Sequence, residues 1–275
     1  MITTFYSMVT LLMTLVYLWL FDAYRLDFPA PLFWLASLLL GLLSGFVALF
    51  LLMACYGRFQ KGDQTKNMRN HRFVMSLMHF VMRVLRAKII VSGTENIPDE
   101  PFVMVSNHQT NFDIIAIKPL IKNQPMIFIA KHSLFKWPVI GHLVKLLGNI
   151  SIYRLSDRSA IKSILAGIKQ YENGVPVSIF PEGTRSHGNE MIDFKAGAFK
   201  LATKPKAPIL VVSIYNFCSL LKYWPIKRHN VYIHIHPVIS PDEYEDMNTQ
   251  ALSKHVKAII QSQLDRFEKI EHGQS

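Results

Sequence analysis

The sequence predicts an α/β domain that follows a membrane-embedded segment of two apolar helices. No charged side chain occurs from Met1 to Phe21 or from Pro29 to Tyr56, whereas short β-rich runs alternate with helical patterns from Ile89 onward. The 275 residues suffice for one such domain and a short membrane appendage, but not for a polytopic transporter. We therefore divide the chain into a helical hairpin over residues 1–57, an interfacial or connecting helix over residues 58–88 and the α/β domain over residues 89–275.

The two apolar stretches are interpreted as an uncleaved membrane anchor. The second stretch is rich in leucine and long enough to cross about 30 Å of hydrocarbon. A signal peptide is disfavoured because the first stretch begins without Lys or Arg and no small-residue cleavage pattern precedes Asp22. The short link from Asp22 to Asp27 fits two complete crossings and a hairpin that re-enters one leaflet equally well.

Positive charge is concentrated outside the apolar helices. Residues 1–57 hold only Asp22, Arg25 and Asp27 as charged residues, a net charge of −1, and the whole chain carries +11, so residues 58–275 carry +12. If both helices cross the membrane, the positive-inside rule places the α/β domain on the cytoplasmic side of the cell membrane, because basic residues cluster just after the second helix, at Arg58, Lys61, Lys66, Arg69 and Arg72.

The basic surface and the cysteine content limit the functional classes. A surface of this kind attracts anionic lipid headgroups, a polyanionic ligand or nucleic acid. We expect no nucleic acid partner, because the sequence has no strong motif of interleaved aromatic and basic residues. The two cysteines, Cys55 and Cys218, form no CxxC pair, which argues against a disulfide scaffold or a structural zinc site.

Secondary structure follows from hydrophobic periodicity. A helix over Asn70–Arg86 either lies in the membrane interface or buries its apolar side in a core. Further along, the predicted strands are Phe102–Ser106, Met126–Ala130, Ile150–Arg154, Pro176–Phe180, Ile209–Tyr215 and Val231–His236. The predicted helices are Asp113–Lys122, Leu134–Leu147, Ser156–Asn173, Phe194–Lys204 and Thr249–Ile270.

A histidine and an aspartate flank a turn between a predicted strand and a predicted helix. On a continuous helix His108 and Asp113 would lie about 140° apart and could not touch. The intervening residues suit a turn, with Asn111 capping a helix that begins at Phe112, so that the carboxylate reaches back to one ring nitrogen. The other nitrogen would then be free to act as a general base. An isolated pattern of this kind is more often a loop histidine beside an ordinary helix-start carboxylate.

A second group of polar residues follows the strand that ends at Phe180. Glu182, Gly183, Thr184 and Arg185 offer a carboxylate, a turn glycine and a guanidinium that suits a phosphate. An internal Glu182–Arg185 ion pair in a plain turn is the alternative. Lys131 follows another strand end, so it could converge with Arg185 on one dianionic phosphate, and Arg154 is a further basic candidate.

Taken together, these segments resemble the four ordered motifs of the lysophosphatidic acid acyltransferase family, in its bacterial PlsC-like form. The resemblance covers roughly residues 85–240, and the hydrophobic pair that precedes the domain is similar to that of bacterial members. It implies a glycerolipid acyltransferase-like domain with a mixed sheet flanked by helices. The segments that carry it are Asn107–Asp113, Lys131–Arg154, Phe180–Ser186 and Ala207–Val212.

The resemblance also implies an activity. His108 would take the proton from the sn-2 hydroxyl of 1-acyl-sn-glycerol-3-phosphate as that hydroxyl attacks a thioester carbonyl, with Asp113 orienting the ring. The donor would be acyl carrier protein or coenzyme A carrying a fatty acyl group, and the product phosphatidic acid. No metal or prosthetic group is implied. The residues implied in acceptor binding are Glu182, Gly183, Thr184 and Arg185, with Lys131 and Arg185 near the phosphate.

Three other interpretations remain at this point. The acceptor could be another lysophospholipid or an amino-acid-linked lysolipid. The chain could be a non-enzymatic scaffold that binds anionic lipid at the membrane surface. It could also be a metal-dependent hydrolase that uses His108 and Asp113 as ligands, with further ligands drawn from His132, His142, His187, His234 and His236, of which the last two point the same way on a strand.

Overall fold

A computed structural model describes residues 1–21, 30–56, 58, 60, 62–153, 157–226 and 230–273. These residues form two compact units. The hairpin unit comprises residues 1–62 with residues 137–143, and the α/β unit comprises residues 63–136 and 144–275. The link predicted at Asp22 to Asp27 lies outside the described residues, and the predicted domain boundaries remain predictions.

The hairpin unit contains two long apolar helices, α1 (Ile2–Leu20) and α2 (Ala30–Tyr56). Small residues allow them to pack closely, since a side chain at Gly41 would collide with Thr14. The Tyr17 hydroxyl lies 3.0 Å from the Ser44 hydroxyl across the same contact. By length and composition both helices could cross a membrane, as the sequence predicted.

The α/β unit is built on a seven-stranded mixed sheet. The strands are β1 (Lys88–Ser92), β2 (Val103–Ser106), β3 (Ile127–Lys131), β4 (Ile150–Ile152), β5 (Val177–Ile179), β6 (Ile209–Tyr215) and β7 (Asn230–Ile235). Their order in the sheet is β1-β7-β6-β2-β5-β3-β4. Strands β2 to β6 run parallel, and β7 is antiparallel to β6. The carboxyl ends of β2 to β6 therefore meet at one edge, where open α/β sheets bind their ligands.

Helices cover both faces of this sheet. The helices that follow α2 in the described part of the chain are α3 (Met68–Val84), α4 (Asp113–Ile117), α5 (Ile140–Leu146), α6 (Asp157–Glu172), α7 (Lys200–Thr203), α8 (Phe217–Tyr223), α9 (Pro241–Tyr244) and α10 (Thr249–Glu271). One hydrophobic core lies between the sheet and α3, α4 and α8, and the other between the sheet and α6, α7 and α10. The predicted α/β architecture with a mixed sheet is confirmed.

Most predicted elements are present with shifted ends. The strand Ile209–Tyr215 is found as predicted, whereas β1, α8 and α9 were not predicted. The helix predicted over Leu134–Leu147 is wrong, because a 3-10 turn at His132–Lys136 ends before Pro138 and α5 begins after it. The helix predicted over Phe194–Lys204 is likewise a 3-10 turn followed by the single turn of α7. Helix α3 buries its apolar side in the core, as one of the two interpretations expected.

Candidate active site

The loop after β2 brings the predicted histidine and aspartate into contact. Nδ1 of His108 lies 2.8 Å from Oδ2 of Asp113, which confirms the predicted turn. Asp113 is fully buried and the His108 side chain is 7% exposed. An ionised carboxylate can only accept hydrogen bonds, so this contact assigns the proton to Nδ1 and leaves a lone pair on Nε2. Within the described residues, Nε2 has no hydrogen-bond partner in the protein.

The Asp113 carboxylate is held in place by the loop that it closes. Oδ2 also accepts the backbone N–H groups of Gln109 at 2.7 Å and Thr110 at 2.9 Å. Oδ1 accepts the Thr110 hydroxyl at 3.0 Å. Helix α4 begins at Asp113 and not at Phe112, and the predicted cap by Asn111 is wrong, because the Thr110 hydroxyl oxygen accepts the Phe112 N–H instead. The aspartate is thus both the partner of the histidine and the centre of its loop.

Two amide side chains beside the histidine tie the loop to the neighbouring strand. Asn107 pairs with the backbone of Ile214 in β6, donating and accepting at 2.8 Å each. The amide oxygen of Gln109 accepts the Phe217 N–H at 2.8 Å at the start of α8. The sequence analysis identified neither role, because both partners lie more than 100 residues away along the chain. Because side chains 107 and 109 are used for anchoring, the backbone that carries the histidine has little freedom to shift.

The imidazole of His108 is also fixed by an aromatic ring. It stacks on Phe180 with ring centroids 4.2 Å apart and an interplanar angle of 17°. Phe180 is the residue after β5, the strand next to β2. The ring is therefore clamped between a carboxylate on its own loop and a phenyl group from the adjacent strand.

Glu182 supports the same loop from the β5 side. Its Oε1 accepts the His108 N–H at 2.8 Å and its Oε2 accepts the Ile192 N–H at 3.2 Å. The pKa of this carboxyl is raised to about 7, chiefly by burial and to a smaller extent by the charge of Asp113, although the two backbone hydrogen bonds and the charge of Lys257 act in the opposite direction. Glu182 therefore faces the protein interior in a positioning role. Its part in acceptor binding remains a prediction.

The rest of this turn presents Arg185 to the histidine loop. Gly183 has a φ of +68°, a left-handed conformation that glycine adopts without strain, and Thr184 is exposed to solvent. The Arg185 guanidinium donates to the Asn111 side-chain oxygen at 3.3 Å. The alternative internal ion pair between Arg185 and Glu182 does not form. Arg185 thus lies beside the loop that carries His108 and Asp113, with donors left for an anion.

Lys131 lies farther along the same edge. It ends β3, which is separated from β2 only by β5, and the strand registers align it with Asn107. Neighbouring strands are about 4.8 Å apart, so the two backbones are separated by roughly 10 Å. The exposed Lys131 side chain has no ion-pair partner among the described residues. Arg154 lies outside the described residues.

The residue after Lys131 is held by a small polar cluster that sequence reasoning did not identify. His132 receives or donates hydrogen bonds at both ring nitrogens, to the Ser151 hydroxyl at 2.8 Å and the Tyr153 hydroxyl at 2.6 Å. Its ring also stacks on Tyr153 with centroids 3.8 Å apart. These contacts join the ends of β3 and β4 and fix the backbone next to Lys131.

The structure brings together His108, Asp113, Glu182 and Arg185 and places Lys131 on the same edge. No three His, Cys, Asp or Glu side chains in the described ranges lie close enough to share a metal ion. The metal-dependent hydrolase interpretation therefore has no ligand set in that part of the chain.

Comparison with known proteins identifies the family. A family model described as Acyltransferase matches residues 88–215. A 1-acyl-sn-glycerol-3-phosphate acyltransferase of Borreliella burgdorferi is 37% identical over 175 residues, covering 60% of this chain and 68% of that protein. The chloroplastic 1-acyl-sn-glycerol-3-phosphate acyltransferase LPAT1 of Arabidopsis thaliana is 29% identical, covering 83% of this chain and 67% of that protein.

A solved structure supports the fold independently. The crystal structure of the 1-acyl-sn-glycerophosphate (LPA) acyltransferase PlsC from Thermotoga maritima superposes with a TM-score of 0.64 at 23% identity. The match covers 96% of this chain and 98% of that one, including the part that precedes the α/β domain. On the family match, the sequence relatives and the fold, this chain belongs to the 1-acyl-sn-glycerol-3-phosphate acyltransferase family.

Proposed function

We propose that this protein transfers a fatty acyl group from acyl carrier protein or coenzyme A to the sn-2 hydroxyl of 1-acyl-sn-glycerol-3-phosphate, giving phosphatidic acid. The observation that carries the proposal is the His108–Asp113 contact of 2.8 Å, at a sheet edge that also presents Arg185. The names of the sequence relatives support lysophosphatidic acid as the acceptor.

His108 acts as the general base in this scheme. Nε2 accepts the proton of the sn-2 hydroxyl while the hydroxyl oxygen forms a bond to the thioester carbonyl carbon. Collapse of the tetrahedral intermediate breaks the carbon–sulfur bond, and the imidazolium returns its proton to the leaving thiolate. The reaction passes through no acyl-enzyme, because the acceptor supplies the nucleophile and the thioester is already activated.

Asp113 and Glu182 support His108 in different ways. The Asp113 carboxylate holds the proton on Nδ1 and stabilises the positive charge that develops on the ring. Glu182 fixes the backbone N–H of His108 and thereby the distance between the base and the neighbouring strand. Neither carboxylate needs to touch the substrate for these roles.

Arg185 and Lys131 would bind the acceptor phosphate. A guanidinium can hold two phosphate oxygens at once, and a lysine ammonium adds a point charge. A phosphate bound between them would place the glycerol hydroxyls on the His108 side of the edge. The scheme needs neither a metal ion nor a prosthetic group.

The acceptor is a membrane lipid, so the protein would work at the cell membrane, anchored by α1 and α2. Both helices are long and apolar enough to cross it. The basic residues after α2, among them Arg69 and Arg72, support a cytoplasmic position for the catalytic domain, where acyl thioesters are available. A different lysophospholipid or an amino-acid-linked lysolipid remains the second candidate acceptor.

The test is acyl transfer by the purified full chain in detergent or vesicles, with products identified by mass spectrometry. Lysophosphatidic acid, lysophosphatidylcholine, lysophosphatidylethanolamine and an amino-acid-linked lysolipid would be offered in parallel, each with acyl-CoA and with acyl carrier protein. We expect phosphatidic acid acylated at the sn-2 position, and slower transfer to acceptors whose phosphate carries a headgroup in addition to glycerol. Efficient product from another lysolipid with none from lysophosphatidic acid would overturn the acceptor assignment.

A further inference from the structure

Helix α3 presents a row of basic residues to the solvent. Arg69, Arg72, His79 and Arg83 are exposed and spaced three, seven and four residues apart, which aligns them along one side of the helix. The opposite side of α3 is buried in the core. Residues 64–94 contain six Lys or Arg residues and no Asp or Glu. No described carboxylate lies within ion-pair distance of the three guanidinium groups.

An apolar tip adjoins the end of this basic side. Tyr223 and Trp224 are 45% and 44% exposed and Ile226 is 94% exposed, all at or just after the end of α8. The Trp224 indole N–H donates to the Val84 carbonyl at 3.2 Å, which joins the tip to the last turn of α3. Val84 is itself 41% exposed. Single exposed apolar residues are common on protein surfaces, but four neighbouring ones beside a row of cations are not.

The opposite layer of the same domain lacks this character. Helix α10 covers the other face of the sheet and mixes four Lys or Arg residues with three Asp or Glu residues. One of its lysines, Lys257, forms a 2.6 Å ion pair with Asp193. A helix of this protein can therefore face the solvent with a mixture of acidic and basic residues. The basic side of α3 lies in the layer that also contains α4, the helix that begins with Asp113.

We propose that the basic side of α3 and the apolar tip together form a second membrane-contact surface, by which the catalytic domain docks onto an anionic phospholipid bilayer. Arg69, Arg72 and Arg83 contact lipid phosphates, while Trp224 and Ile226 enter the boundary between headgroups and acyl chains. Aromatic residues with a polar edge favour that depth, and each cation near an anionic surface strengthens binding by about five-fold. This contact adds to the hairpin and lies on residues outside the proposed catalytic machinery.

The surface extends the proposed function by stating how the domain meets the lipid that contains its substrate. Its test measures contact with lipid and not turnover, so the two proposals can fail separately. An acidic acyl carrier protein is the other partner that a basic surface could bind. The exposed Ile226 and Trp224 favour the bilayer, because a hydrocarbon boundary accepts apolar groups that protrude singly.

The experiment uses the full chain with Trp224 as its only tryptophan, obtained by Trp19→Phe, Trp34→Phe and Trp137→Phe. Indole emission is recorded in vesicles that carry brominated acyl chains, with about one third anionic lipid or with none. We expect bromine near the headgroup end of the chain to quench about half of the Trp224 emission in anionic vesicles, and clearly less in neutral vesicles. Equal quenching in the two vesicle types would overturn the proposal.

A charge-reversed variant and a matched control locate the effect. Arg69→Glu, Arg72→Glu and Arg83→Glu together should reduce quenching in anionic vesicles to the neutral value. Lys254→Glu with Lys269→Glu, on the exposed side of α10, should leave it unchanged. Equal responses of the two variants would contradict the assignment.

Two further measurements address a variant that fails to fold and a different binding partner. If the charge-reversed protein does not fold, Ile226→Ser changes a side chain outside the core and should still weaken the quenching. Acyl carrier protein is then added without vesicles. A change in Trp224 emission that charge reversal abolishes, with no dependence on anionic lipid, would assign this surface to the carrier and overturn the membrane proposal.

Discussion

Histidines lie at the ends of β2 and β7, and of these only the one after β2 has the surroundings of a base. His108 follows β2, pairs with a carboxylate through Nδ1 and keeps Nε2 without a protein partner among the described residues. His234 and His236 lie side by side, at and just after the end of β7, with ring centroids 4.5 Å apart, as their spacing predicted. Their hydrogen bonds go to the hydroxyls of Ser92 and Ser213.

The neighbours account for the difference. The pKa of His236 is lowered to about 4, chiefly by burial, with smaller contributions from His234 and Arg266. Its Nε2 is also occupied by the Ser213 hydroxyl at 2.7 Å. Among the described residues, His236 has no carboxylate against its ring, so no side chain stabilises the cation that proton transfer would create there. The partner of the imidazole, more than its burial, thus determines which histidine can accept a proton from a substrate.

Removal of the base should produce the largest effect. We expect His108→Ala to lower kcat by about a thousandfold, since general base catalysis typically contributes factors of about 10² to 10⁴. The measurement is the initial rate of phosphatidic acid formation, with the melting temperature as a control for folding. Turnover within about tenfold of wild type in a folded variant would exclude His108 as the base.

Loss of the anion-binding group should act mainly on the acceptor. We expect Arg185→Ala to raise KM for lysophosphatidic acid by roughly ten- to a hundredfold with a smaller change in kcat, because a charge-assisted contact to phosphate is lost. Arg185→Lys is the matched control and should recover part of the affinity. An unchanged KM would show that the phosphate binds elsewhere.

The carboxyl group of Glu182, which supports the His108 loop, should make the stability of the protein depend on pH. Its folded-state pKa of about 7 is above the ordinary value of 4.5, so the folded protein binds more protons than the unfolded one between these values. The Glu182 contribution to the free energy of unfolding therefore falls as pH rises from about 4.5 to about 7. His236 contributes in the opposite direction at acid pH, since its pKa is lowered.

The difference between wild type and Glu182→Gln isolates this contribution. The amide of the variant does not titrate, so the melting temperature of the wild type should fall relative to that of the variant as pH is raised across that range. The melting temperatures of the two proteins would be measured in the same detergent at pH intervals of half a unit. A constant difference in melting temperature would mean that the carboxyl does not titrate there.

The smallest effect should come from the β7 histidines. We expect His234→Gln to leave kcat and KM within about twofold, because no carboxylate prepares this ring for proton transfer and it lies away from the carboxyl ends of β2 to β6. Steady-state kinetics at several pH values would test this. A large loss of kcat without a loss of folding would show that the β7 histidines contribute to catalysis.

The sequence predicted the architecture better than the supporting contacts. Short β-rich runs between helical patterns predicted β2 to β7, and two long stretches without charge predicted the hairpin. The short helix α8 and the strand β1 were not predicted. Asn107 and Gln109 anchor the loop through partners more than 100 residues away, at Ile214 and Phe217, and no local pattern reveals such contacts.

The sequence suggests the residues of the candidate site but only part of the geometry that the structure gives them. The contact between His108 and Asp113 follows from a turn that the sequence could suggest. The inward orientation of Glu182 depends on the Ile192 N–H ten residues later and on burial by the assembled sheet edge. A carboxylate near a strand end reads equally well as a ligand contact or as a backbone support until both strands are in place.

The central claim is that His108 and Asp113 act as one base, and a double-mutant cycle tests it most directly. Rates of acyl transfer would be measured for His108→Ala, for Asp113→Asn and for the double variant, each confirmed as folded. We predict that the double variant is no slower than His108→Ala, because the aspartate has no further role once the ring is absent. Losses that multiply would contradict the account, since they would show that the two side chains contribute independently.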